Sequence, residues 1–539
     1  MPASQPFTVA CDGGLINSTN SLALLRTPGY ATKLKNFEVG TEGGYRRISG
    51  FTRFGEGSAT NPNSTNAILG LVVYADGVIA CSGTGIYFSQ NGTSWLQINR
   101  ASVSSSGDNY TTFTGRSLDA RTSQGQCSFD IYEGTSDYGE VLITDGANKP
   151  FYFKMTGTGD LNTRTFYAKE ITVSGTVSPT VGTIHDKHYV VGGDSDNKNV
   201  IYYSGLNDIT DFSSGTAGNI ALEDAVIGLK SFRNELFIFC KNSIHKLINI
   251  NDSSNIAIVP VTDNVGCLDG QSIQELAGDL IFLAPDGFRT VAGTSRIGDI
   301  ELSSISKQIQ PIVQKIAENI NDYTISSAVI GDRSQYRLFY AMDGETTSTS
   351  KGIIGTLRPG STANPNAGFQ WSETQGIQAP AFTAGFDKDG LEKYYHGDFE
   401  GRVFVHDSGN SFNGSNVIAE YQTPNIDYGD LGTLKTLHFI KISVGPEGTV
   451  QPTLRVRYNY DDPNHPQPGD YVLDSIPPPA LFNDATFGSG IFGAAEKPLI
   501  RQQLQGSGHS NSFRIRSDDT RTPYTINGFF IDYIPSGRR

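Results

Sequence analysis

Residues that build disulfide and metal sites are scarce in this sequence. It has five cysteines, eight histidines and two tryptophans among 539 residues. The cysteines are odd in number, lie far apart and form no CxxC pair, which argues against a disulfide framework and against a zinc knuckle. We therefore expect buried, reduced thiols, no bound metal and no cofactor.

Positive charge is also in short supply. Lysine and arginine number 41 against 55 aspartates and glutamates, for a formal net charge of −14. Because proteins that hold DNA tightly neutralise its phosphates with lysine and arginine, tight DNA binding is not expected. No uncharged apolar run approaches the length that crosses a bilayer, and no basic segment followed by an apolar one opens the sequence. We therefore expect no membrane span and no secretion signal.

Catalytic motifs are absent from the sequence, which contains no P-loop, nucleophile elbow or dinucleotide fingerprint. The segment Ser89–Trp95 resembles a degenerate Asp-box, a hairpin turn of sialidase-type propellers, but it lacks the aspartate. His185 and His188 lie three residues apart in a strand or turn, a spacing that we expect to place them on opposite faces. We assign no catalytic, cofactor-binding or metal-ligating residue and expect no enzyme.

Glycine and aromatic residues are abundant instead, with 61 glycines, 30 phenylalanines and 24 tyrosines. Together with many asparagines, serines and threonines, they favour short strands joined by tight turns. From about residue 66 to residue 407 one unit recurs: an apolar run, a turn of Asp-Gly or Asn-Gly type, and another run. This pattern is typical of serial hairpins. We predict an all-β protein with a β-propeller of about six to seven blades over residues 61–410.

Three segments differ from this repeat. Residues 303–322 carry isoleucine and valine at helical spacing, which predicts one amphipathic helix that starts or bends at Pro311. After about residue 411 the strands lengthen, and residues 411–539 are predicted to form an antiparallel β-sandwich-like platform domain. Residues 1–60 are predicted to form an N-terminal segment that pairs with a distant element and makes platform and ring contacts.

The N-terminal residues Asn36, Gly44, Arg46, Arg47 and Gly50 lie in a pattern similar to the opening of tail nozzle proteins of short-tailed bacteriophages, the tail tubular protein B-like family. Three further regions resemble the blade strands of that family: residues 201–212, residues 394–414 and the surroundings of Trp371. Near the C-terminus, FGSGIFG, GSGHSNSFRIRS and INGFFIDYI are similar to its platform strands. The resemblance spans nearly the whole chain, which is shorter than the larger members of the family.

The resemblance implies a structural virion protein, made in the host cytoplasm, that forms a homohexameric nozzle ring at the distal end of the tail. It implies docking on a tail adaptor ring, contacts with tail fibres, and a lumen that retains and then releases double-stranded DNA without tight binding. We predict that Arg46 and Arg47 contact carboxylates of a neighbouring subunit. We also predict a neutral to acidic lumen, with Asp461 and Asp462 as exposed acidic loop residues.

Two alternatives stay open at this point. A propeller that binds or hydrolyses host-surface carbohydrate would cluster aromatic residues and carboxylates at one end of its channel. A monomeric propeller that acts as a scaffold for other proteins would not assemble into rings. Cleavage of polysaccharides would establish the first alternative, and electron microscopy would separate the second from a ring.

Overall fold

The structure is a computed structural model, which describes residues 4–40, 43–99, 113–114, 122, 125–133, 138–157, 164–252, 254–292, 304–358, 368–387, 389–475 and 499–538. Strands dominate these ranges, and the predicted all-β class is confirmed. None of the helices within them is long and apolar enough to cross a membrane. The segment FGSGIFG and Ser303 lie outside the described residues.

The N-terminal segment contributes five short strands to three different sheets. They are β1 (Gln5–Ala10), β2 (Lys33–Lys35), β3 (Phe37–Val39), β4 (Tyr45–Arg47) and β5 (Phe51–Arg53). A 3-10 turn at Ala23–Arg26 lies between β1 and β2. Strands β1 and β4 both pair with the last strand of the chain, Tyr524–Arg538. The prediction that this segment pairs with distant elements is confirmed.

Three propeller blades follow along the chain. The first contains β6 (Ile68–Tyr74), β7 (Gly77–Ser82), β8 (Gly85–Ser89) and β9 (Leu96–Gln97). The second contains β10 (Phe113–Thr114), β11 (Ser128–Tyr132), β12 (Glu140–Thr144), β13 (Phe151–Thr156) and β14 (Thr165–Glu170). The third contains β15 (Val181–His185), β16 (His188–Gly192), β17 (Val200–Tyr203) and β18 (Gly218–Ala221). All are antiparallel, except that β10 pairs in parallel with β14.

Two more blades precede the helix. The fourth contains β19 (Val226–Phe232), β20 (Glu235–Cys240), β21 (Ile244–Ile248) and β22 (Ala257–Thr262). A 3-10 turn at Gly270–Ser272 leads to the fifth, which contains β23 (Gln274–Leu276), β24 (Asp279–Ala284) and β25 (Gly287–Thr290).

The predicted helix is present but shorter than residues 303–322. A 3-10 turn at Lys307–Ile309 leads into α1 (Gln310–Glu318), which buries Val313 and Ile316. Pro311 lies in the first turn of α1, as predicted, because proline lacks an N–H and fits only the start of a helix.

Two groups of strands complete the propeller. The first group is β26 (Thr324–Ile330), β27 (Gln335–Ala341), β28 (Lys351–Arg358) and β29 (Gly368–Gln375), with a 3-10 turn at Gly331–Arg333. The second group forms the closing blade and contains β30 (Ala381–Phe386), β31 (Glu392–Gly397) and β32 (Val403–His406). Strand β5, from the N-terminus, is the outer strand of this blade.

Eight strands form the C-terminal platform. They are β33 (Val417–Gln422), β34 (Thr433–Pro446), β35 (Thr453–Tyr458), β36 (Tyr471–Val472), β37 (Leu499–Gln503), β38 (Ser507–Gly508), β39 (Asn511–Asp519) and β40 (Tyr524–Arg538). One platform sheet has the order β3-β4-β40-β34-β37, with β1 and β38 attached. The other is the long sheet, β26-β27-β28-β29-β2-β33-β39-β35-β36. Tyr421 of the long sheet stacks on Phe529 of the first sheet, at 5.9 Å between ring centroids, and the predicted sandwich-like platform is confirmed.

Six small sheets form the propeller blades, and the β26 end of the long sheet stands between the fifth blade and the closing blade. The innermost strands are β6, β11, β15, β19, β23, β26 and β30. They surround a central channel of about 290 Å³. The predicted propeller of about six to seven blades is confirmed.

Gly50 lies where the N-terminal segment passes the closing blade. A Cβ atom at this position would lie 2.1 Å from the carbonyl oxygen of Ser411 and 2.5 Å from its nitrogen. We predict that Gly50→Ala lowers the free energy of unfolding by about 2 kcal/mol, because two backbone segments must move apart. Gly215→Ala is the matched control, since its Cβ would meet nothing within 4 Å. Equal thermal midpoints for the two variants would contradict this close packing.

Candidate functional site at the joint of propeller and platform

The N-terminal segment crosses between propeller and platform in a region that we call the joint: residues 35–40 and 43–53 with residues 333–337, 375–378 and 396–418. Asn36 is buried there with a left-handed backbone, at φ 54°. Its Nδ2 donates to the carbonyls of Gln375 and Ile418 at 2.9 Å each, and its Oδ1 accepts from the backbone N–H of Gln375 at 2.9 Å. Asn36 therefore fixes the path of the backbone.

The joint is centred on a buried carboxylate, Glu38, whose side chain is 4% exposed. It lies 2.7 Å from the guanidinium of Arg46 and 3.2 Å from those of Arg333 and Arg337. Asp407, in the turn after β32, lies 3.3 Å from Arg333 and 3.4 Å from Arg337. Because buried charges are tolerated only when they are paired, this cluster holds β3, β27 and the closing blade together.

Both arginines that we predicted to contact a neighbouring subunit make their contacts within the chain. Arg46 pairs with Glu38 and also with Glu447 of the platform, at 2.5 Å through Nε and 2.8 Å through Nη2. Arg47 is 1% exposed, and its Nη1 lies 2.8 Å from a carboxylate oxygen of Asp519. The partners are intramolecular because β4 lies beside β40 in the platform. A role in ring assembly stays a prediction, and Arg46 is the more accessible of the two.

The two acidic residues singled out in the sequence lie in the turn after β35. Asp461 is 67% exposed, and its Oδ1 lies 3.2 Å from Nε of Arg457. Asp462 accepts a hydrogen bond from the backbone N–H of Asn464 at 2.9 Å. Each carboxylate thus has a local partner, and their place in a lumen stays a prediction.

A cavity of about 390 Å³ lies in the joint. Its apolar wall contains Phe51, Phe404 and Phe412. Among its polar residues, Asp398 already accepts two hydrogen bonds from Arg402: one from Nε at 2.6 Å and one from the backbone N–H at 2.8 Å. His396 also lines the cavity, and its buried Nδ1 has no hydrogen-bond partner.

His396 packs against a second buried histidine, His406, whose Nε2 also lacks a partner. The two rings form an edge-to-face pair with centroids 4.4 Å apart. Burial, assisted by the nearby His406 and Arg402, lowers the pKa of His396 well below 6.5. Burial, assisted by Arg337, does the same to the pKa of His406. Both imidazoles are therefore neutral at pH 7.

His185 and His188 do not lie on opposite faces, and that expectation was wrong. They are directly opposite each other across the turn Asp186–Lys187. The turn reverses the chain between them, which puts both side chains on one face. Nδ1 of His185 lies 2.8 Å from Oγ of Ser231, whereas His188 contacts the carbonyl of Ser204. The described parts of the chain contain no group of three or more His, Cys, Asp or Glu residues that could hold a metal ion.

The central channel has few charged groups in its described lining, namely Asp130 and Lys230. Oδ2 of Asp130 accepts hydrogen bonds from Oγ1 of Thr183 at 2.8 Å and from the N–H of Ile184 at 2.7 Å. Most glycosidases need two carboxyl groups. Within the described lining Asp130 is the single carboxylate, and it is already engaged, so the hydrolase alternative gains no support from this channel.

Sequence reasoning missed Glu38, Arg337, His396 and His406. Each is a polar residue within an apolar strand, in NFEVG, YRLFYA, YYHG and VFVH. A charged or titratable side chain in such a strand signals a buried partner. The partner could not be named, because Arg337 and Glu38 are 299 residues apart in the chain.

Fold and joint together define an all-β protein in which N-terminal strands bind a propeller to a sandwich-like platform. No family model and no curated protein matches the chain. A solved extracellular domain, BT4673 of B. thetaiotaomicron, is 10% identical with a TM-score of 0.35, covering 73% of this chain and 43% of that one. The AfRom2 CNH domain is 10% identical with a TM-score of 0.34, covering 64% and 98%.

An exo-beta-1,3-galactanase from Phanerochaete chrysosporium is 9% identical with a TM-score of 0.26, covering 90% of this chain and 100% of that one. The chain thus spans less than half the length of the BT4673 domain and nearly all of the other two. Likenesses at these scores carry no argument about function.

Removal of Glu38 tests the cluster at the joint. Glu38→Ala is expected to lower the free energy of unfolding by about 3 kcal/mol, because it leaves the buried guanidinium of Arg337 without its closest carboxylate. Glu447→Ala is the matched control: it removes a partner of Arg46 that is 43% exposed and should cost about 1 kcal/mol or less. Urea unfolding measures both variants, and equal losses would show that the cluster does not hold the joint.

The two neutral histidines predict acid sensitivity. Below about pH 6.5 the two histidines are protonated in the unfolded chain but stay neutral in the folded chain. The free energy of unfolding is therefore highest above the unfolded pKa and falls as the pH decreases through it. The slope is about 1.4 kcal/mol per pH unit for each histidine, down to the native pKa.

The double variant His396→Phe/His406→Phe should flatten the fall in stability between pH 6.5 and pH 5. Urea unfolding of the wild type and the double variant across this pH range measures both slopes. An unchanged slope in the double variant would show that other groups cause the acid sensitivity.

Proposed function

We propose that this chain is a structural subunit of the tail nozzle of a short-tailed bacteriophage, a ring of six copies through which the genome is retained and ejected. The observation that carries the proposal is the place of the residues on which the resemblance depends. Asn36, Gly44, Arg46, Arg47 and Gly50 all lie in the joint, where they fix one crossing of the chain.

The architecture supports a mechanical role. Strand β5 closes the propeller, while β1, β3 and β4 add to the platform, so one segment ties both bodies together. Closely packed sheets have low compressibility and transmit force with little deformation. A conduit that guides a stiff, charged polymer needs this property.

The charge of the chain supports passage of DNA without tight binding. Six copies of a subunit with a net charge of −14 would repel the phosphate backbone over about 8 Å in physiological salt. In this proposal the lumen is neutral to acidic, and Asp461 and Asp462 are candidates for its acidic loops. The ring would dock on a tail adaptor ring, contact tail fibres and reside in the virion.

Cryo-electron microscopy of the tail tests the proposal. We expect a closed ring of six copies at the distal end, in contact through the N-terminal segment and the platform, since closure prevents a heterologous interface from growing into a filament. Mass spectrometry of purified virions provides the control that the chain is present. A single copy per tail, an open filament or absence from the virion would contradict the proposal.

A further inference from the structure

The outer face of the long sheet gathers six cationic side chains in an otherwise acidic chain. They are Lys33, Lys35, Arg455, Arg457, Arg514 and Arg516. Their neighbours along the strands, such as Leu34, Leu454 and Phe513, are buried in the platform core. Because side chains alternate between the two faces of a sheet, the six cations point away from that core.

Four residues of this face form one row across the sheet, which we call the basic stripe: Lys33, Gln422, Arg514 and Arg455. Lys33 lies opposite Gln422, Gln422 opposite Arg514, and Arg514 opposite Arg455. With neighbouring strands about 4.8 Å apart, the stripe spans roughly 14 Å. It contains three cations and no carboxylate.

The stripe carries an electrostatic cost that its own neighbours relieve only in part. Like charges directly opposite each other destabilise a sheet, and Arg455 faces Arg514 in this way. Arg455 is paired with Asp470 at 2.6 Å through both Nε and Nη2, and Arg514 with Glu420. Lys33, the third cation of the stripe, is exposed to solvent, where a carboxylate from another chain can reach it.

A cavity of about 220 Å³ opens beside the stripe. Four cations line it, namely Lys33, Arg455, Arg457 and Arg514. Asp461 is the single carboxylate among its described lining residues. The space therefore suits a planar anion that accepts several hydrogen bonds.

We propose that the basic stripe binds carboxylates of a second copy of this chain. The inference rests on the proposed ring, because rings of identical subunits close through interfaces at which two different surfaces meet. The rest of the chain is even more acidic than its net charge of −14 indicates, so a second copy supplies carboxylates. Arginine forks bind carboxylates in bidentate geometry, which gives the contact direction as well as strength.

Sedimentation of the purified full chain at low ionic strength tests the proposal, with fluorescent decaglutamate and a short DNA duplex as probes. Wild type should self-associate, and added decaglutamate should bind and dissociate the assembly. The variant Lys33→Gln/Arg455→Gln/Arg514→Gln should bind decaglutamate roughly tenfold more weakly or worse, since it loses three ion pairs to the probe.

The control variant Arg26→Gln/Lys198→Gln/Lys307→Gln removes the same charge from exposed positions elsewhere and should behave as wild type. The double variant Lys33→Gln/Arg455→Gln keeps Arg514, the partner of Glu420. It should lose decaglutamate binding to an intermediate degree, which separates an effect on binding from misfolding of the triple variant.

Equal behaviour of the triple variant and the control, or a chain that stays monomeric throughout, would overturn the inference. Tighter binding of duplex DNA than of decaglutamate through the same three side chains would assign the stripe to phosphate and would also overturn it. These readouts need no virion. A six-membered ring whose stripe faces solvent would therefore refute the inference while the proposed function stands.

Discussion

The buried carboxylate of Glu38 constrains how the two bodies of this protein meet. A charge that is removed from water is tolerated only when every partner is in place. The partners of Glu38 come from β4, from the start of β27 and from the turn before it, and Asp407 of the closing blade shares two of them. If one of these elements separates from the joint, a buried charged side chain of another element loses its ion-pair partner. The joint is therefore assembled as a whole, and the orientation of the propeller on the platform follows from it.

The same constraint explains why one short segment serves three sheets. Strand β2 bridges β29 of the propeller to β33 of the platform, in parallel with the first and antiparallel with the second. A few residues later β5 closes the propeller against β32. Closure depends on contacts between residues about 350 positions apart, such as Thr52 and Val405, and contacts of this sequence separation form late. The left-handed Asn36 and the close approach at Gly50 fix the path of the segment in the folded chain. The glycine adds to the entropy lost on closure, because its backbone has the most freedom in the unfolded state.

Local pattern decided how much of this structure could be predicted. The stretches 181–203, 226–248 and 274–290 each became successive strands of one blade, because alternation and turn residues act over a few positions. Ser89–Trp95 forms the turn between β8 and β9, where Oγ of Ser89 accepts from the N–H of Gly92. Even here the detail differed: Gly77 begins β7 and the positive φ falls on Ala75, at 54°.

The joint could not be predicted from the sequence, since its ion pairs link residues that share no local pattern. Arg46 and Arg47 were noticed as a pair, but nothing in the sequence indicates that Glu38 and Asp519 are their partners.

The distribution of charge links the two proposals, the second of which rests on the first. The arginines of the joint form ion pairs with carboxylates of the same chain, so they add little to the electrostatic potential outside the molecule. The basic stripe lies instead on an outer sheet face, next to the acidic turn of Asp461. Its row contains no carboxylate, although Asp470 and Glu420 beside the row pair with Arg455 and Arg514. A conduit lined by this face would attract DNA and hold it, which conflicts with rapid ejection. If a neighbouring copy covers the stripe with its own carboxylates, the same residues stabilise the ring and are no longer exposed on the surface that contacts DNA. An acidic lumen and a basic interface are then two consequences of one arrangement of charge.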